Sequence, residues 1–175
     1  MNNFLELIDT RHSIRRFDER QIDSQTLETV VKSALKAPSS KNLQPWKLVV
    51  VTDEQTKNLL AEAKPANGTF VKYAPAAIVV LGDEQVSDCW VEDCSIAATF
   101  VQLTAQSLGI SSCWAQMRGR KREDGSPTEP FVCKAIGVDE RYRVLCILAL
   151  GYAAPESRFV THSDELPSPK IDFVK

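Results

Sequence analysis

The chain has little of the chemistry that marks metal-binding and disulfide-linked proteins. Its five cysteines include no CxxC pair, and only His12 and His162 could complete a zinc site. No metal site is therefore expected. An odd number of cysteines without a secretion signal fits reduced thiols, several of them buried in apolar runs such as VLCILAL.

Long apolar runs and a basic surplus are also missing. No segment approaches the roughly 18 uninterrupted apolar residues of a membrane span, and the start MNNFLELIDTRHS does not resemble a signal peptide. The net charge of -2 argues against a nucleic-acid partner, because no broad basic face can form. We expect a cytoplasmic protein without a membrane or nucleic-acid partner, in which any anion is bound by a local cluster.

What the sequence does contain is an alternation of helical and extended segments. Apolar spacing and capping residues predict helices over 4–10, from Asp23 or Ser24 to the residues before Pro38, and over 93–108 and 130–136. Buried strands are predicted over 46–52, 76–81, 110–115 and 143–151. The alternation predicts an α+β fold, an α/β-like three-layer sandwich with a central mixed sheet and helices on both faces.

One domain is expected, because 175 residues with 43% hydrophobic content suffice for a single core. We assign residues 1–152 to this domain. Residues 153–175 are polar and spaced by prolines, with apolar residues near the end. They are expected to form an extended arm that docks on a partner subunit.

The usual phosphate-binding loops, GxGxxG and GxxxxGK[ST], are absent. The segment Arg11-His12-Ser13-Ile14-Arg15-Arg16 offers another anchor, because guanidinium forks chelate phosphate and a serine hydroxyl adds a hydrogen bond. Taken alone, a solvated basic turn is the more frequent explanation of such a cluster.

A second polar segment, APSSKNLQPW at 37–46, lies between a predicted helix end and a strand start. Its serine, asparagine and glutamine side chains offer donors and acceptors together, which suits the pyrimidine edge and ribityl chain of a flavin. Ordinary turn chemistry explains the same residues equally well.

Considered together, these segments resemble the FMN-dependent nitroreductases. RHSIRRF is similar to the phosphate-binding start of that family, and APSSKNLQPW to its flavin-edge loop. LGISSCWAQ is similar to the segment that ends beside the central flavin ring, and ALGY to the last core strand. The resemblance implies a nitroreductase-like fold, FMN as cofactor, NADH or NADPH as co-substrate, and a homodimer with FMN at the subunit interface.

The resemblance also implies which residues bind FMN. Arg11, Ser13 and Arg15 would bind its phosphate and ribityl end, with His12 beside them. Arg158 in the tail is a further candidate for the phosphate, and a surface arginine is the alternative.

Two other groups of residues would contact the flavin ring. The first group would line it from the partner subunit and comprises Pro38, Ser39, Ser40 and Asn42, with Gln44 shaping the loop. Backbone amides near Gln116 and Met117 would face the flavin N5. Family members often have glycine near the position of Met117, so either Gln116 makes the N5 contact or the pocket is narrower here. The charged loop 118–124 is either solvated or a rim that attracts an anionic nucleotide or acceptor.

The implied mechanism is a ping-pong cycle in which a nicotinamide nucleotide reduces the flavin and a nitroaromatic, quinone or similar acceptor reoxidises it. No side chain is assigned as a catalyst, because the flavin performs the hydride chemistry. Three alternatives stay open: a dehalogenating, azoline-oxidising or flavin-destroying member, a flavin-binding protein without turnover, and a thiol-based redox protein. The last would depend on Cys113, for which we expect a packing role, because no cation lies next to it in sequence.

Overall fold

A computed structural model of the chain describes residues 4–64, 66–157, 171, 172 and 174. Its helices are α1 (Phe4–Thr10), α2 (Ser24–Ser33), α3 (Glu54–Glu62), α4 (Trp90–Ser107) and α5 (Thr128–Ala135). Its strands are β1 (Trp46–Val51), β2 (Ala76–Gly82), β3 (Ser111–Gln116) and β4 (Arg143–Gly151). Short 3₁₀ segments lie at Ala34–Lys36, Ser40–Asn42 and Thr69–Tyr73.

The four strands form one sheet in the order β1-β2-β4-β3. Each neighbouring pair is antiparallel, so the prediction of a mixed sheet is wrong for these strands. The alternation of helices and strands suggested parallel pairing, but β4 inserts between β2 and β3, which run parallel to each other without touching. Within the described residues, the parallel pairing is limited to the bridge Ser13↔Ser112.

Helices cover both faces of the sheet, which confirms the predicted α+β class and the three layers. On one face, α2 and α4 pack through Val30 and Val101 against alternate sheet residues such as Ile78. On the other face, α3 and α5 pack through Leu60 and Val132 against the residues between them. The central strands β2 and β4 are almost wholly buried, because helices cover them from both sides.

The helix ends follow from local capping chemistry. The carboxylate of Asp23 accepts a hydrogen bond from the Thr26 amide at 2.9 Å, and that of Asp53 accepts one from the Thr56 amide at 2.7 Å. Neither α3 nor the 3₁₀ segment Thr69–Tyr73 was predicted from apolar spacing, although Asp53 repeats the capping pattern of Asp23. Leu35 falls within the helix predicted to run up to Pro38, but it lies beyond the observed end of α2 and is exposed.

The first residues of the predicted arm lie along the start of the same chain. Ala153 forms a bridge with Phe17, and the Ala154 amide donates to the Arg16 carbonyl at 3.1 Å. Residues 158–170, 173 and 175 lie outside the described part, so docking of the arm on a partner stays a prediction. None of the described helices is both long and apolar enough to cross a membrane. The cytoplasmic location stays a prediction.

Candidate functional site

The basic segment at the start of the chain is fixed to the open edge of the sheet. Ser13 forms the parallel bridge with Ser112, and the Ile14 amide donates to the Ser112 carbonyl at 3.1 Å. Ile14 is buried while Ser13 and Arg15 are exposed, as expected for extended backbone that alternates between its two sides. The sheet therefore presents the serine and arginine side chains outward at a defined position.

A buried thiol lies directly behind this segment. Ser13, Arg11, Arg15 and Lys64 all lie close enough to the Cys113 thiol to affect its ionisation. Burial raises the pKa of Cys113, and the three cations oppose that rise. The expectation that this thiol has no positive neighbours is wrong, because the cations approach it through the fold and not along the sequence.

Two cavities border the basic segment, and Ser13 lines both of them. One, of about 390 Å³, is also lined by Arg15 and by Ser157 at the end of the described tail. The other, of about 500 Å³, is also lined by Arg11, Gln102 and further residues of α1 and α4. The half-buried His12 lies between Arg11 and Ser13 in sequence. Arg158 is outside the described residues, so its contact with phosphate is untested.

The polar loop before β1 has an unusual backbone. Lys41, Asn42 and Gln44 have φ angles of 50°, 56° and 49°, in the left-handed region that non-glycine residues rarely occupy. The Gln44 amide donates to the Ser39 hydroxyl at 3.0 Å, and the Gln44 side chain donates to the Asn42 carboxamide at 3.3 Å. Gln44 thus links the loop to Ser39 and Asn42, while its role beside a flavin stays a prediction.

A buried carboxylate anchors this loop to helix α4. Asp93, 3% exposed, accepts hydrogen bonds from the Ser40 amide at 2.7 Å and from the Ser87 hydroxyl at 3.0 Å. Ser40 is partly buried by this contact, whereas Pro38 and Asn42 remain exposed. The anchored loop therefore presents polar groups outward from a fixed base.

The loop and the basic segment attach to opposite halves of α4. Asp93 binds the loop, while Gln102 donates to the Ser112 hydroxyl at 3.1 Å beside the basic segment. Nine residues of helix separate these two points, a distance of about 14 Å.

The end of β3 determines which backbone amide is accessible. The amides of Met117 and Arg118 both donate to the Leu145 carbonyl at 3.1 Å, next to a β-bulge in β4. Hydrogen-bonding direction alternates along an antiparallel strand, so the Gln116 amide points away from β4, toward the open edge. The Met117 side chain is fully buried. Of the two predicted residues, only Gln116 presents its amide at the edge.

Sequence reasoning missed two residues of this region, Asp93 and Lys64. Asp93 was predicted only as the start of a helix, and its contact with Ser40 spans 53 positions. Lys64 follows α3, and burial together with the nearby Arg120 and Arg15 lowers its pKa. No local pattern marks either residue, because both roles arise from the packing of distant segments.

The chain is similar to known flavoenzymes over most of its length. Residues 8–152 match the Nitroreductase family. A relative from Archaeoglobus fulgidus, provisionally named NADH dehydrogenase/NAD(P)H nitroreductase, is 35% identical, covering 98% of this chain and 97% of the relative. A relative of the same provisional name from Methanothermobacter thermautotrophicus is 31% identical over 86% of this chain and 77% of the relative.

The solved structure of an FMN-dependent nitroreductase from Clostridium difficile R20291 has the same architecture. It superposes with a TM-score of 0.91 at 35% identity, covering 98% of this chain and 99% of that chain. The nitroreductase-like fold expected from the sequence is thereby confirmed.

Proposed function

Because the chain belongs to the nitroreductase family and is an FMN- and NAD(P)H-dependent oxidoreductase, we propose that it works by a ping-pong mechanism as a homodimer. A nicotinamide nucleotide reduces the enzyme and leaves, and a nitroaromatic, quinone or similar acceptor then enters the same cleft and is reduced. The observation that supports this assignment most directly is the basic segment fixed beside an open strand edge.

The described residues fit FMN in charge and in donor pattern. Arg11 and Arg15 both lie near Cys113, and Ser13 contacts it, so two guanidinium groups and a hydroxyl share one small region. This set supplies the positive charge and the hydrogen-bond donors that a phosphate requires. His12 lies beside it as a further contact. Gln116 presents a backbone donor farther along the same edge, where we assign the contact with the flavin N5.

The partner subunit would supply the second group of flavin contacts, namely Pro38, Ser39, Ser40 and Asn42. Within one subunit this loop and the phosphate-binding residues are attached to opposite halves of α4. A two-fold axis near α4 would bring the loop of one subunit to the basic segment of the other. Apolar side chains available for such an interface are exposed on α1 and α4, namely Phe4, Leu5, Ile8 and Ile96.

FMN, when bound, supplies the hydride chemistry at its N5 atom. The residues of the chain bind and orient it. Arg11, Ser13 and Arg15 hold the anionic end, the loop around Asn42 offers donors and acceptors to the pyrimidine edge, and the Gln116 amide orients N5. No described side chain is assigned as an acid or a nucleophile.

Three measurements test this proposal. The purified protein should be yellow with a flavin absorption spectrum, and NADH or NADPH should bleach it under anaerobic conditions. Double-reciprocal plots of the initial rate, measured with a nitroaromatic or quinone acceptor, should give the parallel lines of ping-pong kinetics. Light scattering should give the mass of a dimer. A colourless protein that cannot be reconstituted with FMN would refute the assignment, and a monomer that still turns over would refute the shared site.

A further inference from the structure

The charged loop that follows β3 has a defined conformation. The Arg120 amide donates to the Met117 carbonyl at 2.9 Å, and the Thr128 amide donates to the Arg120 carbonyl at 3.1 Å. Farther out, Lys121 forms a bridge with Pro127, and the Arg122 amide donates to the Ser126 carbonyl at 2.8 Å. These bonds use backbone atoms, so the side chains of Arg120 and Lys121 can face a ligand while the loop stays in place.

The loop and the end of α3 enclose a cleft of about 500 Å³ with a strong positive charge. Its charged lining consists of four cations, Lys64, Arg120, Lys121 and Arg122, and one carboxylate, Glu123. Arg122 is already engaged, because it forms an ion pair with Asp124 at 3.2 Å and stacks on the Phe131 ring at 3.9 Å. Lys64, Arg120 and Lys121 have no ion pair with any described carboxylate.

This cleft adjoins the residues that we assign to FMN. Arg120 and Arg15 both lower the pKa of Lys64, so the three cations lie near one another around Lys64. Gathering like charges is unfavourable unless an anion is bound among them. A ligand that starts over the flavin can therefore reach a second anion-binding site in the adjoining cleft.

We propose that the cleft of Lys64, Arg120 and Lys121 binds the 2′-phosphate of NADPH and makes the enzyme prefer NADPH over NADH. This inference rests on the proposed function and specifies its electron donor. The 2′-phosphate is a monoester that carries a charge of about -1.5 to -2 at neutral pH, so several cations can act on one group. The guanidinium of Arg120 can also bind two of its oxygens at once.

The first test measures binding without turnover. Isothermal calorimetry on the FMN-loaded dimer should show adenosine 2′,5′-bisphosphate binding at least about tenfold more tightly than AMP, since one charge-assisted group is added. The double variant Arg120→Ala/Lys121→Ala should lose most of that difference. Both side chains are exposed and the loop is held by its backbone, so the variant should fold. Lys134→Ala, an exposed lysine of α5, is the matched control and should keep the difference.

The second test compares kcat/KM for NADPH with kcat/KM for NADH. The wild type should favour NADPH, and the double variant should lower the NADPH-to-NADH ratio about tenfold or more. An equal loss of kcat/KM with both nucleotides would overturn the inference, because the cations would then bind the pyrophosphate that both nucleotides contain. Unchanged values with both would also overturn it, since the loop would then be merely solvated or serve an anionic acceptor.

The two proposals fail differently. If neither nucleotide bleaches the flavin, the proposed function is wrong, but the calorimetric comparison still decides whether the cleft recognises a 2′-phosphate. If both nucleotides bleach it and adenosine 2′,5′-bisphosphate binds no better than AMP, the oxidoreductase assignment stands and the cleft inference falls.

Discussion

The basic segment around Ser13 and the polar loop around Ser40 hold their side chains by different means. The segment is paired with the sheet edge, where a backbone hydrogen bond to Ser112 fixes it. The loop has three residues in the left-handed region, and a single buried carboxylate, Asp93, links it to the helix beneath.

Because of this difference, changes in the basic segment should affect ligand binding alone, whereas changes in the anchor of the loop should affect both binding and stability. Arg15 and Arg16 of the basic segment are exposed and contribute little to folding, so they can be optimised for an anionic ligand. The loop depends on a group that is itself part of the core, so a change at Asp93 should alter the fold and the site together. The predictions below test this contrast.

The largest effect is expected for Arg15→Glu, which reverses a charge at the proposed phosphate site. Loss of the charge-assisted contacts, each worth about 1.5–3 kcal/mol, together with the new repulsion should weaken FMN binding about 100-fold or more. The variant should purify colourless, and fluorescence titration with FMN should measure the loss. The thermal midpoint of the apoprotein should hardly change. Lys134→Glu is the control, and an equal FMN affinity of the two variants would show that Arg15 does not bind FMN.

The next effect is expected for Asp93→Ala, which leaves the Ser40 amide and the Ser87 hydroxyl without their acceptor. Unsatisfied buried donors should lower the free energy of unfolding by about 2 kcal/mol, and urea denaturation should measure it. FMN affinity should fall as well, because the loop loses its anchor. Glu92→Ala, the exposed neighbour in the same helical turn, is the control. Wild-type stability in the Asp93 variant would contradict the anchoring role.

Each region also has a buried thiol beside it, and the two thiols should differ in alkaline solution. Burial and the Asp93 carboxylate raise the pKa of Cys94 from 9.0 to about 12. Unfolded thiols release protons first, so the free energy of unfolding falls as the pH rises through this range. The stabilisation is complete below pH 9 and declines by about 1.4 kcal/mol per pH unit for this thiol.

Denaturation with urea from pH 8 to 10.5 should show a smaller alkaline loss in Cys94→Ala than in the wild type. Cys113→Ala should reduce the loss less, because Arg15, Ser13 and Lys64 oppose the rise in the Cys113 pKa. If the free energy of unfolding fell equally with pH in the two variants, the cations near Cys113 would not affect the pKa of its thiol.

The smallest effect is expected for Cys113→Ala at neutral pH. The variant should lose about 1 kcal/mol of stability from a small cavity, while FMN binding and its reduction are retained. Stopped-flow bleaching of the flavin is the measurement. If the variant binds FMN normally but is no longer reduced, or if acceptor turnover vanishes, then a thiol takes part in the reaction.

Contiguous features of the site could be predicted from the sequence. The RHSIRRF and APSSKNLQPW segments each bring several polar or charged groups together within a few residues, so a local pattern was sufficient to propose them as site residues. Helix α4 and the four strands were predicted with ends within three residues of those observed, whereas α2 ends at Ser33, earlier than the predicted end before Pro38. These elements have strong apolar periodicity or long buried runs.

Features that depend on long-range packing could not be predicted. The position of β4 between β2 and β3 leaves no trace in the order of elements, and Asp93 and Lys64 meet their partners only after folding. The choice between Gln116 and Met117 also required the register of β3 against β4, because a shift by one residue would turn the Met117 amide toward the edge and the Gln116 amide toward β4.

The carbonyl of Leu145 fixes the backbone at the point where β3 ends and the charged loop begins. Since it accepts hydrogen bonds from the amides of both Met117 and Arg118, the direction in which each amide of β3 points is set before the charged loop begins. The loop can therefore be lengthened, shortened or replaced without turning the Gln116 amide to the other side. Electron-donor preference should accordingly be a transplantable property in this scaffold, open to loop grafting between relatives while the flavin environment stays the same.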